Sequence, residues 1–190
     1  METKAKPIST AGMVLTAVMA AVICILAPIS IPLPGGLVPI SLATFAVYLS
    51  ANLLGWKPGT LSTLLYLLLG LVGLPVFSAY SSGAGILFGP TGGYLIGYIP
   101  LALISGLFFE RFSGTGFFDR IMGVAGAILA TAVLYVIGTL WLMKTAGLGP
   151  GAAIAAGMLP FIPGDLVKII VVVLVGPEIR KRLLSAGIRL

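Results

Sequence analysis

Charged residues are missing from two long stretches of this chain, residues 7–56 and 58–109, and from a shorter one, residues 121–143. These stretches are 50, 52 and 23 positions long. A helix crossing the hydrocarbon core of a bilayer needs about 20 apolar residues. Each of the first two stretches therefore holds two helices and an uncharged connector, and the third holds one. The apolar segment at residues 159–176 supplies the last, which makes six. Only 8% of the 190 residues are charged, whereas a soluble domain carries about 25%. The expectation is an all-α membrane protein of six transmembrane helices, one integral-membrane domain over residues 1–190.

Prolines and glycines mark where the helices stop. The first span is expected near residues 12–27. Its exit, Pro28-Ile-Ser-Ile-Pro-Leu-Pro-Gly-Gly-Leu-Val-Pro39, holds four prolines and cannot continue as helix. Lys4 and Lys6 precede this span as they would in a signal peptide, but no clear small-residue cleavage site follows, so the span reads as retained. The second and third spans fall near residues 40–54 and 60–74, with Trp56 and Lys57 in the turn between them, as suits an interface. Residues 75–93 form a long connector without charge, whose apolar side chains argue against disorder. The fourth span falls near residues 94–109 and the fifth near 121–143. Residues 147–158, rich in Gly and Ala, read as a short helix outside the membrane or partly re-entrant.

Lys and Arg set the orientation, because cytoplasmic loops carry their excess. With the amino terminus inside, Lys4, Lys6, Lys57, Arg111, Arg120, Arg180, Lys181, Arg182 and Arg189 lie inside, nine of the eleven basic residues. Both termini are then cytoplasmic. The net charge of +6 becomes a signal of topology and lipid headgroups rather than of nucleic acid. The proline-rich exit, the long connector and residues 160–164 all face outside, where they converge like a mouth.

Several chemistries are excluded by residue type. There is no histidine and Cys24 is the only cysteine, which leaves no histidine-ligated protease zinc, no cysteine metal cluster, no Ser–His pair and no intrachain disulfide. Outside the polar loops and tails, which hold Glu2, Glu110, Asp119 and Glu178, the sole carboxylate is Asp165, so no dyad of membrane carboxylates exists. No Gly-x-x-x-x-Gly-Lys-Ser/Thr loop is present. The expectation on these grounds is binding or transport rather than catalysis.

Asp165 and Lys168 stand out against this background. A charge at membrane depth is costly and usually has a partner or a task. At i and i+3 the two share a helix face, and Pro160, Pro163 and Gly164 interrupt the helical pattern just before them. Interrupted spans with polar groups at the break point to substrate sites in transporters. Two readings stay open: the pair neutralises itself for insertion, or it recognises a polar ligand. Around it, Phe77, Tyr80, Phe88 and Tyr94 are candidate aromatic walls or packing residues. Ser78, Ser81 and Ser82 offer hydroxyls, and Gly83 and Gly85 allow close backbone approach. Gly89, Gly93 and Gly97 read as close helix packing. Ala17 and Ala21 give the first span a small-residue face, either for internal packing or for docking another membrane protein.

Three of these stretches carry a family likeness: residues 28–39, Gly89-Pro-Thr-Gly-Gly-Tyr-Leu-Ile-Gly-Tyr98, and Pro160-Phe-Ile-Pro-Gly-Asp-Leu-Val-Lys168. Over nearly its whole length the chain resembles the substrate-binding (S) subunits of energy-coupling-factor (ECF) transporters, and more specifically the biotin-specific BioY family. The resemblance implies an S-component bundle in a prokaryotic cell membrane that binds biotin from outside and delivers it inward. It implies that Asp165, Lys168, Phe77, Tyr80, Ser82 and Gly83 contact the vitamin. Lys168 would donate to the ureido oxygen or, alternatively, pair with the valerate carboxylate. It implies docking of a transmembrane coupling subunit on Ala17 and Ala21. ATP would be used only by separate ATPase subunits, and this chain would carry no cofactor. An S subunit for another vitamin and an autonomous secondary transporter are the competing readings, although no inverted repeat is evident.

Overall fold

The structure, a computed structural model, describes residues 10–33 and 37–185. Lys4, Lys6 and Arg189, which enter the charge count above, and Pro34, Gly35 and Gly36 of the proline-rich exit lie outside the described residues. The described chain is mostly helical. In order it forms α1 (Thr10–Leu26), a short hairpin of β1 (Ser30–Ile31) and β2 (Ile40–Ser41), α2 (Ala43–Leu54) and α3 (Trp56–Leu71). A 3-10 turn (Ser78–Tyr80), α4 (Ala84–Leu87), α5 (Gly92–Arg111), α6 (Phe117–Ala146), α7 (Pro150–Gly157) and α8 (Ile162–Ser185) follow. Helices α5 and α6 are each long and apolar enough to cross a membrane, and α7 with α8, bent by 44°, makes a third span if the pair is counted as one. Helices α1 and α2 are shorter and apolar.

The hydrophobic pattern explains which helix lies in the middle. Ten of the twelve residues of α2 are buried, and the helix packs against α1, α3, α5 and α8. A helix apolar on all sides belongs at a bundle centre. Single-residue Gly55 joins α2 to α3 at φ +84°, and a side chain there would also run into the Glu110 carboxylate. Helices α5 and α6 lie close along their length because glycines sit at the contacts. Gly93 and Gly97 of α5 abut Trp141 and Leu134 of α6, and Gly126 and Gly138 of α6 receive the rings of Phe108 and Tyr94. Small residues at helix contacts allow such approach.

The connectors gather at one end. The antiparallel hairpin pairs Ser30 with Ser41 and Ile31 with Ile40. The Ala79 amide donates to the Pro28 carbonyl (3.1 Å) and to Ser30 Oγ (3.0 Å), tying the long connector to the hairpin. Trp141 Nε1 donates to the Gly89 carbonyl (2.9 Å), tying the same connector to α6. The hairpin itself was not foreseen; its prolines rule out helix, and two residues per strand are too few to leave an alternating pattern.

The expected break also shifts. It lies at residues 158–161, before α8, and not at residues 160–164. Pro163 and Gly164 sit inside the first turn of α8, where the missing proline N–H leaves no bond unmade. At its other end α8 continues through Gly176 and Pro177 to Ser185, so its 24 residues span about 36 Å at 1.5 Å per residue.

Candidate binding site

Asp165 is fixed by its place in the first turn of α8 and by α2 and α6 on either side. It is 4% exposed. Its Oδ1 accepts from Thr44 Oγ1 of α2 (2.9 Å) and from Lys168 Nζ (2.9 Å), and its Oδ2 accepts from the Tyr135 hydroxyl of α6 (2.7 Å). Lys168 Nζ donates further to the Ser41 carbonyl (2.7 Å) and to Thr44 Oγ1 (2.9 Å). An ammonium has three protons, and all three are used. A carboxylate has about four lone-pair positions, and three are filled. The pair is thus desolvated and almost fully satisfied by the protein, with acceptor capacity left on Asp165 Oδ2.

A second rung supports the first. Tyr48, one turn beyond Thr44 on α2, shares a 2.6 Å hydrogen bond with Thr131, one turn before Tyr135 on α6. Thr131 also donates to the Ala127 carbonyl (2.6 Å), which directs the shared proton from Tyr48 to Thr131. The Tyr48–Thr131 bond joins α2 to α6 directly, and the Asp165 carboxylate joins them again through Thr44 and Tyr135.

Two cavities meet above the pair. The smaller, about 40 Å³, is lined by Ser41, Thr44, Tyr135, Phe161, Asp165 and Lys168 among others. The larger, about 150 Å³, is lined by Phe77, Ser78, Ser81, Ile86 and Thr91 among others. Val38, Pro39, Tyr94 and Tyr98 line both, so the two are lobes of one region under the hairpin. One lobe carries the charges, and the other carries an aromatic ring with three hydroxyls.

The aromatic walls are seated by neighbours without side chains. Phe77 is buried and packs edge-on against Tyr66 at 5.6 Å between ring centroids. Its ring fills the space that a side chain at Gly70, one turn on from Tyr66, would occupy. The Gly70 carbonyl accepts from the Gly83 amide (2.8 Å). Tyr94 lies between Gly138 and Gly157, and its hydroxyl donates to the Gly157 carbonyl (2.7 Å), pinning α7 to the bundle.

The sequence-derived candidates divide accordingly. Asp165 and Lys168 come together in the small lobe, and Phe77 lines the large one. Tyr80 is 69% exposed and, with Ser82 and Gly83, is not among the residues lining either lobe. Ser78 and Ser81 occupy the positions at the cavity. Ala17 and Ala21 lie on an exposed face of α1 beside Met13, Val14, Val18 and Ile25. Ser41, Thr44, Tyr98 and Tyr135 were not anticipated. Their one signal is a hydroxyl in an otherwise apolar segment, a signal shared by Thr16, Ser62 and Ser105, which bond to helix carbonyls instead.

Comparison with known proteins gives the geometry a setting. The family model described as the BioY family matches residues 1–185. The biotin transporter BioY of Thermotoga maritima is 38% identical over 164 residues, which cover 86% of this chain and 92% of that one. The biotin transporter BioY of Rhodobacter capsulatus is 40% identical over 158 residues, covering 79% of this chain and 82% of that one. Among solved structures, a 2.1 Å crystal structure of the S-component for biotin from an ECF-type ABC transporter superposes with a TM-score of 0.79. It is 29% identical and is covered to 90%, as is this chain. The helical bundle is therefore of the S-component type.

Proposed function

The chain belongs to the BioY family, and from that premise we propose that it is the membrane-embedded biotin-binding subunit of an ECF uptake transporter. The observation that carries the reading is the buried Asp165–Lys168 pair, bridged by Thr44, held by Tyr135 on the carboxylate and the Ser41 carbonyl on the ammonium, and opening onto a cavity walled by aromatic rings. Biotin has a ureido ring with two N–H donors and a carbonyl, and an acidic tail. A ureido N–H fits the open position on Asp165 Oδ2. The ureido oxygen takes a Lys168 proton in place of the Ser41 carbonyl. The tail extends into the larger lobe toward the Ser78, Ser81 and Thr91 hydroxyls. An analogue lacking the ureido donors leaves the carboxylate with nothing in exchange, which is how buried polar sites discriminate.

In this reading α1, α2, α3, α5, α6 and α8 are six spans of a single multi-pass domain in a prokaryotic cell membrane, with both termini cytoplasmic. The shortness of α2, about 18 Å for 12 residues, is made up by the extended hairpin ahead of it. The gathering of the connectors at the Asp165 end supports an external mouth. The exposed α1 face around Ala17 and Ala21 is the docking surface for the coupling subunit. ATPase subunits supply the ATP-driven step, and the chain itself needs no cofactor.

The test is a calorimetric titration of the detergent-purified protein with biotin and with other water-soluble vitamins. Saturable binding of biotin alone is expected. Binding of a different vitamin with no response to biotin would overturn the assignment, and uptake into vesicles without ATPase partners would favour an autonomous transporter.

A further inference from the structure

Between the start of α6 and the middle of α8 lies a groove of about 360 Å³ that shares no lining residue with the Asp165 cavities. Its walls are Ile121, Val124, Ile170, Val173 and Leu174, with Phe117 at the rim. One charged side chain, Arg120, lines it, and the Arg120 Nε is buried with no hydrogen-bond partner. Among the described residues the Asp165–Lys168 contact is the only ion pair within 4.0 Å, so no carboxylate answers this guanidinium. Arg120 as a whole is half-buried, and a buried cationic N–H without an acceptor is costly.

The helix makes the shortage worse. Arg120 is in the first turn of α6, where the macrodipole is positive and an anion, not a cation, is favoured. No side chain caps this terminus. Asp119, the acid of this same first turn, is turned over the backbone of Gly114 and Gly116 and forms no ion pair with Arg120. Phe117 and Phe118 beside it are 82% and 64% exposed, apolar surface that suits lipid rather than water. The site thus combines a buried, unpartnered guanidinium nitrogen with an open apolar channel. A soluble anion would meet the first and leave the second empty.

We propose that the groove is a seat for an anionic phospholipid, its phosphate on Arg120 and the α6 amino terminus and one acyl chain along Val124, Ile170 and Leu174. A basic residue at a helix end, next to a cleft between membrane helices, has the two parts such a lipid needs.

The experiment is native mass spectrometry of the detergent-purified protein equilibrated with equimolar phosphatidylglycerol and phosphatidylcholine. Biotin binding serves as the check that each variant is folded. The wild type is expected to retain phosphatidylglycerol preferentially. Arg120→Gln should lower that retention about fivefold, the factor for about 1 kcal/mol per basic residue at an anionic surface. Arg120→Lys should keep the preference, and Val124→Trp, which fills the groove, should reduce retention of both lipids. Undiminished preference in Arg120→Gln overturns the proposal. So does loss of preference only when Arg180, Lys181 and Arg182 are all replaced by Gln. Displacement of the lipid by inorganic phosphate at equal concentration would show that the acyl chain plays no part, and would likewise overturn it.

Discussion

Replacing Asp165 by Asn tests whether the buried pair exists for the helix or for the ligand. The Asn oxygen can still accept from Thr44 and Lys168, but its amide nitrogen then faces the Tyr135 hydroxyl, which must turn from donor to acceptor. Lys168 keeps its charge with its side chain only 13% exposed. Breaking a buried pair from one side costs about 3–5 kcal/mol, and the retained oxygen puts this change near 3. Lys168→Met strands the carboxylate instead, with the Thr44 and Tyr135 donors still in place, and costs about as much. If the two costs were independent, the double variant would lose about 6 kcal/mol. Because neither charge remains in Asp165→Asn/Lys168→Met, the double variant should lose less than either single one, a coupling of about 3 kcal/mol or more. Denaturant unfolding in micelles, followed through Trp56 and Trp141, reads these differences. Additive costs would refute the argument that the two groups neutralise each other. Biotin titration of the same proteins supplies the second answer. Each single change and the double change should abolish measurable binding, so stability returns in the double variant while affinity does not. A double variant that binds biotin as the wild type does would reduce the pair to a device for insertion.

Two further changes probe the walls and the outer face. Gly70→Ala gains helix propensity of about 1 kcal/mol but places a methyl group in the seat of the Phe77 ring. The ring must then tilt into the larger lobe, and biotin affinity should fall about tenfold, or about 1.4 kcal/mol, in a calorimetric titration; unchanged affinity would remove Phe77 from the ligand's surroundings. Ala17→Trp places a large ring on the exposed face of α1 and should abolish co-purification with the coupling subunit while sparing biotin binding. An intact complex would place the docking surface elsewhere.

The elements that could be read from the sequence are those where one strong physical term dominates. Desolvation of charge placed the helical segments, because a 50-residue interval without Lys, Arg, Asp or Glu has few soluble explanations. The same term singled out Asp165 and Lys168. The positions that stayed hidden are those where the deciding contact is distant in sequence. Thr44 and Asp165 are 121 residues apart, and nothing local to Thr44 separates it from Thr63, which bonds to its own helix at Gly59. Tyr80 looked like a cavity wall because it is aromatic and lies in the right connector. Its backbone adopts φ +57° after Ala79 at +55°, and this left-handed turn brings Ser78 and Ser81 to the cavity while Tyr80 is left exposed. A reversal of direction over two residues with positive φ leaves no trace in composition.

The internal bonding of the pair bears on how one site can be stable empty and selective when filled. Lys168 donates one proton to the carbonyl of Ser41, in strand β2 of the hairpin, and another to Thr44. A ligand carbonyl that replaces Ser41 exchanges one acceptor for another, so that step contributes little net free energy. Much the same holds for a ureido N–H that leaves water for the open position on Asp165. On this reading the favourable term comes from burying the ligand's rings against Tyr94 and Tyr98 and the methylenes of its tail against Phe77, at about 25 cal/mol per Å² of apolar area. The charged pair then sets the cost of the wrong molecule. A ligand with the same apolar area but no matching donors and acceptor forces Lys168 or Asp165 to give up a protein partner without replacement, at about 1–3 kcal/mol for each group. Affinity and selectivity are therefore carried by different lobes of the cavity. Changes at Phe77 should weaken biotin and its analogues together, whereas changes at Thr44 or Ser41 should alter the ratio between them.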